Sequence, residues 1–583
     1  MANQYTNIKT SSNQTRFEAA VTELPERSRM TAKPRHITTF NASELTPIYC
    51  REMLPSQSIR MNLNFLIREV TMKTPVIGNL FVDFYAFFVP NRIVYDGWKE
   101  VFGEDDNAGF GNPLNDVTLP TLVDASTQAS IAQSGYQFGV GTIADHYGIP
   151  TQGNIPGELL VQMNDLKYRG FYECYNEYFR DQNYQPKLTY NKSGQANWFS
   201  GSSTSIDRVL RVNKTHDYFT SVLPQPQRGA PVIIASDVPV YAAKNYNAIT
   251  ELANYGLTTD DFGNLTFNNT TSGSSARALV VAPSGAVGTD GGTLTINTSG
   301  YFPSGSVPFG PNNLKGQVSI SVEDLRRASA VQRLQEQLGR IGSRYREYIA
   351  GFFGIEVQNP MRDVPTYLGH LRRDLETYQT AQTSASSGDS YQGDLAAFSF
   401  TKNGGQLFQN GVFTALEHGY LHVFCVVRHK NIYSSYLSRD NFRLSMMDFY
   451  QPQLANLGEQ PVYTREINPF ATVPASSSIE TSVFGYQEAW AEYRYEPDMV
   501  SGMMRPQPDG EQSAQSLAQW TYADDFDVGL ITATGNWLKS NTKDVVDRTI
   551  QVTSENTNQF YGEFVFEIDK ELPMPVYSVP ELE

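Results

Sequence analysis

The stretch Asn79–Trp98, NLFVDFYAFFVPNRIVYDGW, constrains the fold of this chain more than any other segment. In a β-strand, alternate residues of Leu80–Val89 point to opposite faces, and both sets are apolar apart from Asp83. A strand with two apolar faces must be covered on both, so the stretch predicts a central strand of a layered β-structure. Pro90 has no N–H for pairing and is expected to end this strand.

The composition favours strands joined by long loops. The 583 residues include 33 Phe, 33 Tyr, 44 Gly and 31 Pro, and only 18% are charged, which is typical of β-proteins with turn-rich connections. The chain has no apolar run of about eighteen residues and no basic-then-apolar leader, so we expect neither a membrane span nor secretion by that route. Cys50, Cys174 and Cys425 lie far apart in sequence and are expected to be buried, reduced thiols.

The charge of the chain is unevenly distributed. A net charge of −16 argues against a generic nucleic-acid binder. Residues 1–40, however, contain six Lys or Arg against three Glu, whereas residues 485–583 contain eighteen Asp or Glu against six Lys or Arg. The acidic part can also be a plain soluble surface. The basic part predicts an extended arm over residues 1–35, with these candidate nucleic-acid contacts: Arg16, Arg27, Arg29, Lys33 and Arg35.

Changes of amino-acid composition along the chain predict three further regions. A β-body begins over residues 36–231, and a Gly-, Ser- and Thr-rich insertion follows over residues 232–315. Residues 316–583 supply a helix, the remaining strands and the C-terminal segment. The insertion has short alternating pieces between turn residues, which favour an ordered protrusion built of hairpins over a flexible linker: Asn264–Phe267, Ala278–Val281 and Thr293–Ile296.

Two helices are predicted within this β-rich sequence. One is an aromatic helix over Leu159–Phe179, and the other has an apolar stripe at spacings of three and four over Ser321–Phe353. Gly339, Gly342, Gly351 and Gly354 weaken the second helix and can divide it. Further strands are predicted at Leu421–Arg428, Val483–Arg494 and Gly562–Ile568.

The sequence contains no catalytic constellation that we can recognise. Phosphate-cradling glycine motifs and a nucleophile elbow are absent. His418 and His422 lie four apart, but on a strand this spacing separates them by roughly 13 Å, so a transition-metal site is not favoured. The acidic run Glu104–Asp106 is more readily a solvated turn than a calcium site. We therefore expect no enzyme activity, no cofactor and no metal.

Five segments, in the same order along the chain, resemble the major capsid proteins of microviruses, and most closely the gokushovirus-type branch. These are the segment containing Pro90 described above, together with His36–Glu69, Val483–Gly502, Ser516–Phe526 and Met574–Pro580. The resemblance therefore extends from near residue 36 to near residue 580. It implies an all-β fold, an eight-stranded antiparallel jelly roll of the viral capsid type with long inserted loops and a few helices.

The resemblance also implies a function and partners. Copies of the chain would form a T=1 icosahedral shell around a circular single-stranded DNA genome, with scaffolding and pilot (DNA-delivery) proteins as partners. The shell would assemble in the bacterial host cytoplasm and form the virion. The insertion would be a projection at the three-fold axes that faces a host receptor, with candidate residues Asn268, Asn269, Asp290 and Tyr301.

Aromatic residues in the Pro-marked loops and helices are the candidate assembly contacts, because such residues anchor protein interfaces. The set is Tyr95, Trp98, Tyr175, Tyr178, Phe179, Trp490, Tyr493 and Arg494. For the last three we weighed nucleic-acid stacking and preferred packing. A different class of function, a secreted carbohydrate-binding or hydrolytic β-sandwich, also suits a chain rich in aromatics. The missing leader and the lack of a recognisable carboxylate pair argue against it.

Overall fold

A computed structural model describes most of the chain. The described residues are 26–104, 118–199, 201–230, 232, 240–242, 280–281, 287–288, 314–316, 322–355, 363–376, 400–475, 477–506, 516–524, 531–551 and 553–577. The chain divides into two compact units. The larger comprises residues 1–228 and 338–583, and the smaller comprises residues 229–337.

The larger unit is built on two antiparallel sheets. Its strands are β1 (Ser28–Ala32), β2 (Arg35–Phe40), β3 (Thr46–Met53), β4 (Ser58–Glu69), β5 (Leu80–Pro90), β10 (Thr366–Leu375), β11 (Phe400–Gln406), β12 (Phe413–Thr414), β13 (Gly419–His429), β14 (Glu459–Tyr463), β15 (Val483–Glu488) and β16 (Phe560–Leu572). The smaller unit contains β6 (Val240–Ala242), β7 (Val280–Val281), β8 (Val287–Gly288) and β9 (Leu314–Gly316).

The helices are mostly short. The α-helices are Asn91–Val94, Trp98–Val101, Ala129–Ser134, Ile143–His146, Gly157–Leu160, Leu166–Cys174, Val322–Ile341, Tyr345–Phe353, Thr464–Ile467 and Thr542–Thr549, and a π-helical turn covers Tyr175–Phe179. The 3₁₀ turns are Arg439–Phe442, Met446–Asp448, Pro452–Leu454, Ala491–Tyr493, Gly502–Met504 and Ala518–Trp520. None of the described helices is long and apolar enough to cross a bilayer.

The two sheets have simple strand orders. One has the order β10-β5-β13-β3, with β5 and β13 in the centre. The other has the path β1-β16-β4-β11, where β2 also pairs with β16 and β12 also pairs with β4. Every neighbouring pair in both sheets is antiparallel. The prediction of a mainly antiparallel β-protein with some helices is therefore confirmed.

The prediction for β5 is also confirmed. This strand is buried at every position except Tyr85, which is half-buried, and it ends at Pro90. It pairs with β10 on one side and with β13 on the other. Its single carboxylate, Asp83, is fully buried and accepts hydrogen bonds from His370 and Arg372 of β10 and from Arg428 of β13.

The main core lies between the two sheets. Phe65 of β4 lies 4.8 Å from Phe84 of β5, and Phe84 lies 5.9 Å from Phe564 of β16, measured between ring centroids. Inward residues of β4 alternate with exposed or half-buried ones. Among the described residues, the β4–β16 sheet is therefore covered on one face, as amphipathic antiparallel sheets commonly are.

A second core covers the other face of the β5–β13 sheet. It is formed by residues of the long connection between residues 91 and 212, which pack on Phe87 and Phe424. Asp165 holds this layer together, because its carboxylate accepts hydrogen bonds from Arg169 (2.7 Å) and from the indole N–H of Trp198 (2.8 Å). All three side chains of this cluster are fully buried.

The long helical prediction is confirmed with a break. Gly342 has φ +102° and separates Val322–Ile341 from Tyr345–Phe353, and Gly354 follows with φ +67°. Left-handed backbone favours glycine at both places. The helix predicted over Leu159–Phe179 is shorter, because it begins at Leu166 and its last turn is π-helical.

One strand prediction along the chain is wrong in its extent. The strand predicted over Val483–Arg494 ends at Glu488, because Trp490 takes a left-handed backbone conformation (φ +66°) and a 3₁₀ turn follows. The resulting strand pairs with β14 and, through a single bridge at Tyr486, with Leu223. Among the described strands it joins neither large sheet. The arm predicted over residues 1–35 is partly strand, because Ser28–Ala32 pairs with β16.

In the smaller unit, β7 pairs with β8 and β6 pairs with β9. The first pair is a short hairpin that includes the end of the predicted piece Ala278–Val281. The predicted pieces Asn264–Phe267 and Thr293–Ile296 lie outside the described residues.

Candidate assembly and nucleic-acid surfaces

The outward face of the β4–β16 sheet is strongly charged. Alternation along β16 brings four carboxylates to this face, those of Glu563, Glu567, Asp569 and Glu571, while the alternate residues fill the core. Arg60 and Arg68 of β4 lie on the same face, since Asp569 is opposite Arg60 and Tyr561 is opposite Arg68. Lys402 of β11 also lies there, opposite Leu66.

The predicted basic residues extend along this carboxylate stripe. Arg27 pairs with Glu571, Arg29 with Asp569, Lys33 with Glu567 and Arg35 with Glu563, at N–O distances of 3.2 to 3.3 Å. We call these four contacts the ion-pair ladder. All eight side chains keep about a third or more of their surface exposed. Exposed pairs of this kind contribute about 0–1 kcal/mol each.

The ion-pair ladder gives the predicted nucleic-acid residues carboxylate partners within their own chain. Four of the five predicted nucleic-acid residues are gathered on one face, and each is neutralised by a carboxylate of the same chain. Because the pairs are exposed and weak, phosphates can compete for the cations. The fifth residue, Arg16, lies outside the described residues.

Most of the predicted assembly residues are buried inside a single chain. Tyr95, Tyr175 and Phe179 belong to the second core, and Trp98 and Tyr178 are partly buried against it. The hydroxyl of Tyr178 donates to the carbonyl of Pro365 at 2.8 Å. These aromatic side chains stabilise the fold of the subunit, and their role in assembly stays a prediction.

The remaining three predicted assembly residues lie in a different place. Trp490 is buried, and its indole N–H donates to the carbonyl of Leu454 at 3.0 Å. Tyr493 is 51% exposed, and Arg494 is exposed and pairs with Glu488. The ring of Tyr450 lies 5.6 Å from that of Trp490 and 6.2 Å from that of Tyr493.

A loop next to Tyr493 exposes a run of large apolar side chains that the sequence analysis did not single out. Leu444 is 93% exposed, Met446 is 74% exposed and Met447 is 63% exposed. Phe449, Tyr450 and Leu457 are also exposed. We call residues Leu444–Leu457 the apolar loop. The sequence feature that could have identified this loop is LSMMDFY, a cluster of apolar residues with neither strand alternation nor helical spacing.

The candidate metal residues do not come together. His422 is buried, and its Nδ1 lies 2.8 Å from the hydroxyl of Tyr147. Burial lowers the pKa of His422 to about 3. His418 instead stacks on Phe102 at 4.9 Å, and Glu417 pairs with Arg92. Across the described ranges, no three His, Cys, Asp or Glu side chains are arranged to hold a metal ion.

The remaining acidic and cysteine positions follow the same pattern. Glu104 pairs with Lys99, and the other two acids of that run lie outside the described residues. Cys174 and Cys425 are buried free thiols, and Cys50 is a half-buried one. Burial raises the pKa of Cys50 to about 12, which leaves it a thiol rather than a reactive thiolate near neutral pH.

The four receptor-facing candidates all lie outside the described residues: Asn268, Asn269, Asp290 and Tyr301.

These features are typical of a structural β-protein that makes contacts through its surfaces. The known proteins that this chain resembles are also structural proteins. The family model for "Capsid protein (F protein)" matches residues 20–582. The chain is 33% identical over 569 residues to capsid protein VP1 of Spiroplasma virus 4, covering 95% of each chain. It is 32% identical over 546 residues to capsid protein VP1 of Bdellovibrio phage phiMH2K, covering 93% of each. It is 29% identical over 610 residues to capsid protein VP1 of Chlamydia phage 1, covering 97% of each.

The chain belongs to this family of microvirus major capsid proteins. The family consists of structural proteins of the virion and not of enzymes, as the sequence predicted. The match spans both large sheets and the connections between them, so it concerns the whole chain. The carbohydrate-binding or hydrolytic alternative is not favoured.

Proposed function

We propose that copies of this chain assemble into a T=1 icosahedral shell around a circular single-stranded DNA genome, and that the body of each copy is an eight-stranded jelly roll. The observation that carries the proposal is the strand order of the two facing sheets. β1 and β2 occupy one position beside β16, and β11 and β12 occupy one position beside β4. Each sheet therefore has four strand positions, as expected for a jelly roll of eight strands.

The loops support a role in assembly. The segments 91–212 and 430–559, which lie between strands of the two large sheets, are far longer than those strands. Loops of this length are uncommon unless they have a function of their own. In this chain they carry two further cores, which stiffen their surfaces. A rigid body with ordered loops can make many moderate contacts with neighbouring copies.

We assign the outward face of the β4–β16 sheet to the genome. The support is the clustering of Arg27, Arg29, Lys33 and Arg35 with Arg60, Arg68 and Lys402 on one surface. Phosphate neutralisation needs cations distributed over a surface and no particular base sequence. Arg16, from the basic arm, is assigned to the same role.

We assign residues 232–315 to host attachment, with Asn268, Asn269, Asp290 and Tyr301 as the receptor-facing candidates. The support is that residues 229–337 form a compact unit of their own. A scaffolding protein and a pilot protein complete the proposed set of partners, and assembly is assigned to the host cytoplasm.

The test is production of the full chain together with the other virion proteins. Sedimentation and electron microscopy should reveal closed particles of uniform size that protect single-stranded DNA from nuclease. A count of subunits from the particle mass then measures whether the shell is T=1. If the chain stays monomeric in the presence of those proteins, the proposal is wrong.

A further inference from the structure

We propose that the apolar loop Leu444–Leu457 is an assembly anchor that docks onto a neighbouring copy of this chain. The inference rests on the proposed function, because it names a surface through which the shell is held together. The observation behind it is the concentration of exposed apolar side chains described above, with Leu444 93% exposed at one end and Leu457 61% exposed at the other. Contiguous apolar patches on soluble monomers rarely exceed a few hundred Å² and commonly mark interaction sites.

The tip of the loop is held in one conformation. The carboxylate of Asp448 accepts hydrogen bonds from the backbone N–H groups of Leu444 (3.0 Å) and Ser445 (2.7 Å) and from the Ser445 hydroxyl (2.8 Å). These hydrogen bonds, first of all that from the Ser445 side chain, lower the pKa of Asp448. The backbone N–H of Asp448 donates back to the carbonyl of Ser445. The apolar side chains are therefore presented by a tied turn, which reduces the entropy lost on docking.

The base of the loop is also fixed. Arg443 lies 4.3 Å from the ring centroid of Tyr493 and 5.8 Å from that of Phe449. Its guanidinium pairs with Glu492 at 3.4 Å. The buried indole of Trp490 packs against the ring of Tyr450 in the loop at 5.6 Å, and its N–H donates to the carbonyl of Leu454, also in the loop. An apolar tip on a rigid aromatic base has the anatomy of an interface hot spot, with a buried support and an exposed anchor.

The charge of the molecule argues for a second copy as the occupant. Each copy has a net charge of −16, so copies repel one another wherever like-charged surfaces meet. Close approach is least unfavourable where the surface is apolar and its charges are already paired. Around the apolar loop the cations Arg439, Arg443 and Arg494 are each paired with a carboxylate of their own chain, Glu466, Glu492 and Glu488. These three cations therefore offer no free basic patch to a strongly acidic partner of another kind, whereas the family's assembly into a viral shell supplies neighbouring copies of the same chain.

A paired set of variants tests the anchor. In L444D/M446D the two most exposed side chains of the tip become charged, whereas in L444M/M446L they stay apolar. With all virion proteins supplied, L444D/M446D should lower the yield of closed particles by roughly tenfold or more, as expected when about 1.4 kcal/mol or more is lost at a repeated contact. L444M/M446L should retain the wild-type yield. Equal melting temperatures of the unassembled subunits ensure that the fold is intact.

A second measurement does not depend on the folding of the charged variant. A photo-crosslinking amino acid at Met446 in assembled particles should give a product of twice the chain mass of 65.2 kDa. Wild-type yield from L444D/M446D, or crosslinks from Met446 only to a different virion protein, would overturn the anchor and leave the shell function standing. If the wild-type chain itself makes no particles, it is the proposed function that fails.

Discussion

Asp83 shows how a single residue can set the stability of the body. Its carboxylate lies in the middle of the β5–β13 sheet and is surrounded by His370, Arg372 and Arg428. Burial alone would raise the pKa of Asp83, but hydrogen bonds from these three partners outweigh burial and hold the pKa below its usual range. The contribution of the charge to stability is therefore present above the unfolded-state pKa and is lost as the pH falls below it.

We predict that D83N destabilises the subunit by about 2–3 kcal/mol at neutral pH, because the substitution leaves the buried Arg428 without its counter-charge, whereas Arg372 and His370 are partly exposed to water. Chemical denaturation of the unassembled chain measures the change. D374N is the matched control, since Asp374 is an exposed carboxylate of the same sheet, and it should change the free energy of unfolding by about 0.5 kcal/mol or less. Equal effects of the two variants would contradict the structural role of Asp83.

Glu69 is a buried carboxylate whose pKa is raised, in contrast to that of Asp83. It is 5% exposed, and its Oε1 has no hydrogen-bond partner among the described residues. Burial raises the pKa of Glu69 to about 8. The folded chain therefore keeps this proton up to about pH 8, whereas the unfolded chain releases it near pH 4.3. The stability that this proton supports is fully present below the unfolded-state pKa and is lost as the pH rises toward 8.

We predict that E69Q, which cannot ionise, gains stability relative to the wild type as the pH rises from 5 to 8, by about 2–4 kcal/mol in total. Unfolding free energies measured across this pH range test the prediction. E52Q, at an exposed carboxylate of β3, is the control. Parallel profiles for wild type and E69Q would show that Glu69 stays ionised in the folded chain.

At the scale of elements, the ion-pair ladder joins β16 to the N-terminal strands and restrains the cations assigned to the genome. We predict that E567Q/D569N raises the affinity of the subunit for single-stranded DNA several-fold at low salt. The reason is that Lys33 and Arg29 lose their carboxylate partners. Each newly available phosphate contact should steepen the slope of log affinity against log salt by about 0.7.

The control for this experiment removes the same charge elsewhere. E158Q/E480Q changes two exposed carboxylates that are not part of either large sheet. If both double variants bind DNA equally well, the effect is one of net charge and the assignment of this face to the genome is wrong. The melting temperature of E567Q/D569N should change little, since each exposed pair is worth about 1 kcal/mol or less.

Elements with a strong pattern were predictable, and those fixed by distant contacts were not. β5, β13 and β16 were identified because two-sided or alternating apolar residues leave few other conformations. The end of β15 near Trp490 was not predictable, because the left-handed backbone at Trp490 and its hydrogen bond to Leu454 are not visible in the local sequence. The partner strand of β1 is β16, more than 500 positions away in sequence, and local sequence does not reveal such a pairing. Five of the eight assembly candidates pack in the second core of the subunit, and sequence alone does not separate core from interface positions because both use the same residue types.

At the scale of the whole molecule, an acidic chain that associates with itself must overcome its own charge. With a net charge of −16 per copy, assembly through apolar contacts should be slow at low ionic strength. Salt screens the repulsion, since the Debye length falls from about 30 Å at 0.01 M to about 10 Å at 0.1 M.

We predict that empty shells form faster at about 0.5 M salt than at about 0.02 M, because repulsion between copies is screened while apolar burial is retained. Light scattering of purified subunits without DNA gives the rate. L444M/M446L should show the same salt response as the wild type. Faster assembly at low salt would mean that attractive ion pairs between copies, and not apolar contacts, drive association.

The position of β16 in its sheet has a consequence for synthesis. This strand lies between β2 and β4, yet it is translated after every other described strand. Until β16 has been synthesised, the β4–β16 sheet of a nascent chain therefore lacks one of its two central strands. Nascent chains that lack β16 have an incomplete sheet and cannot yet associate correctly, so the order of translation delays assembly until β16 has been made.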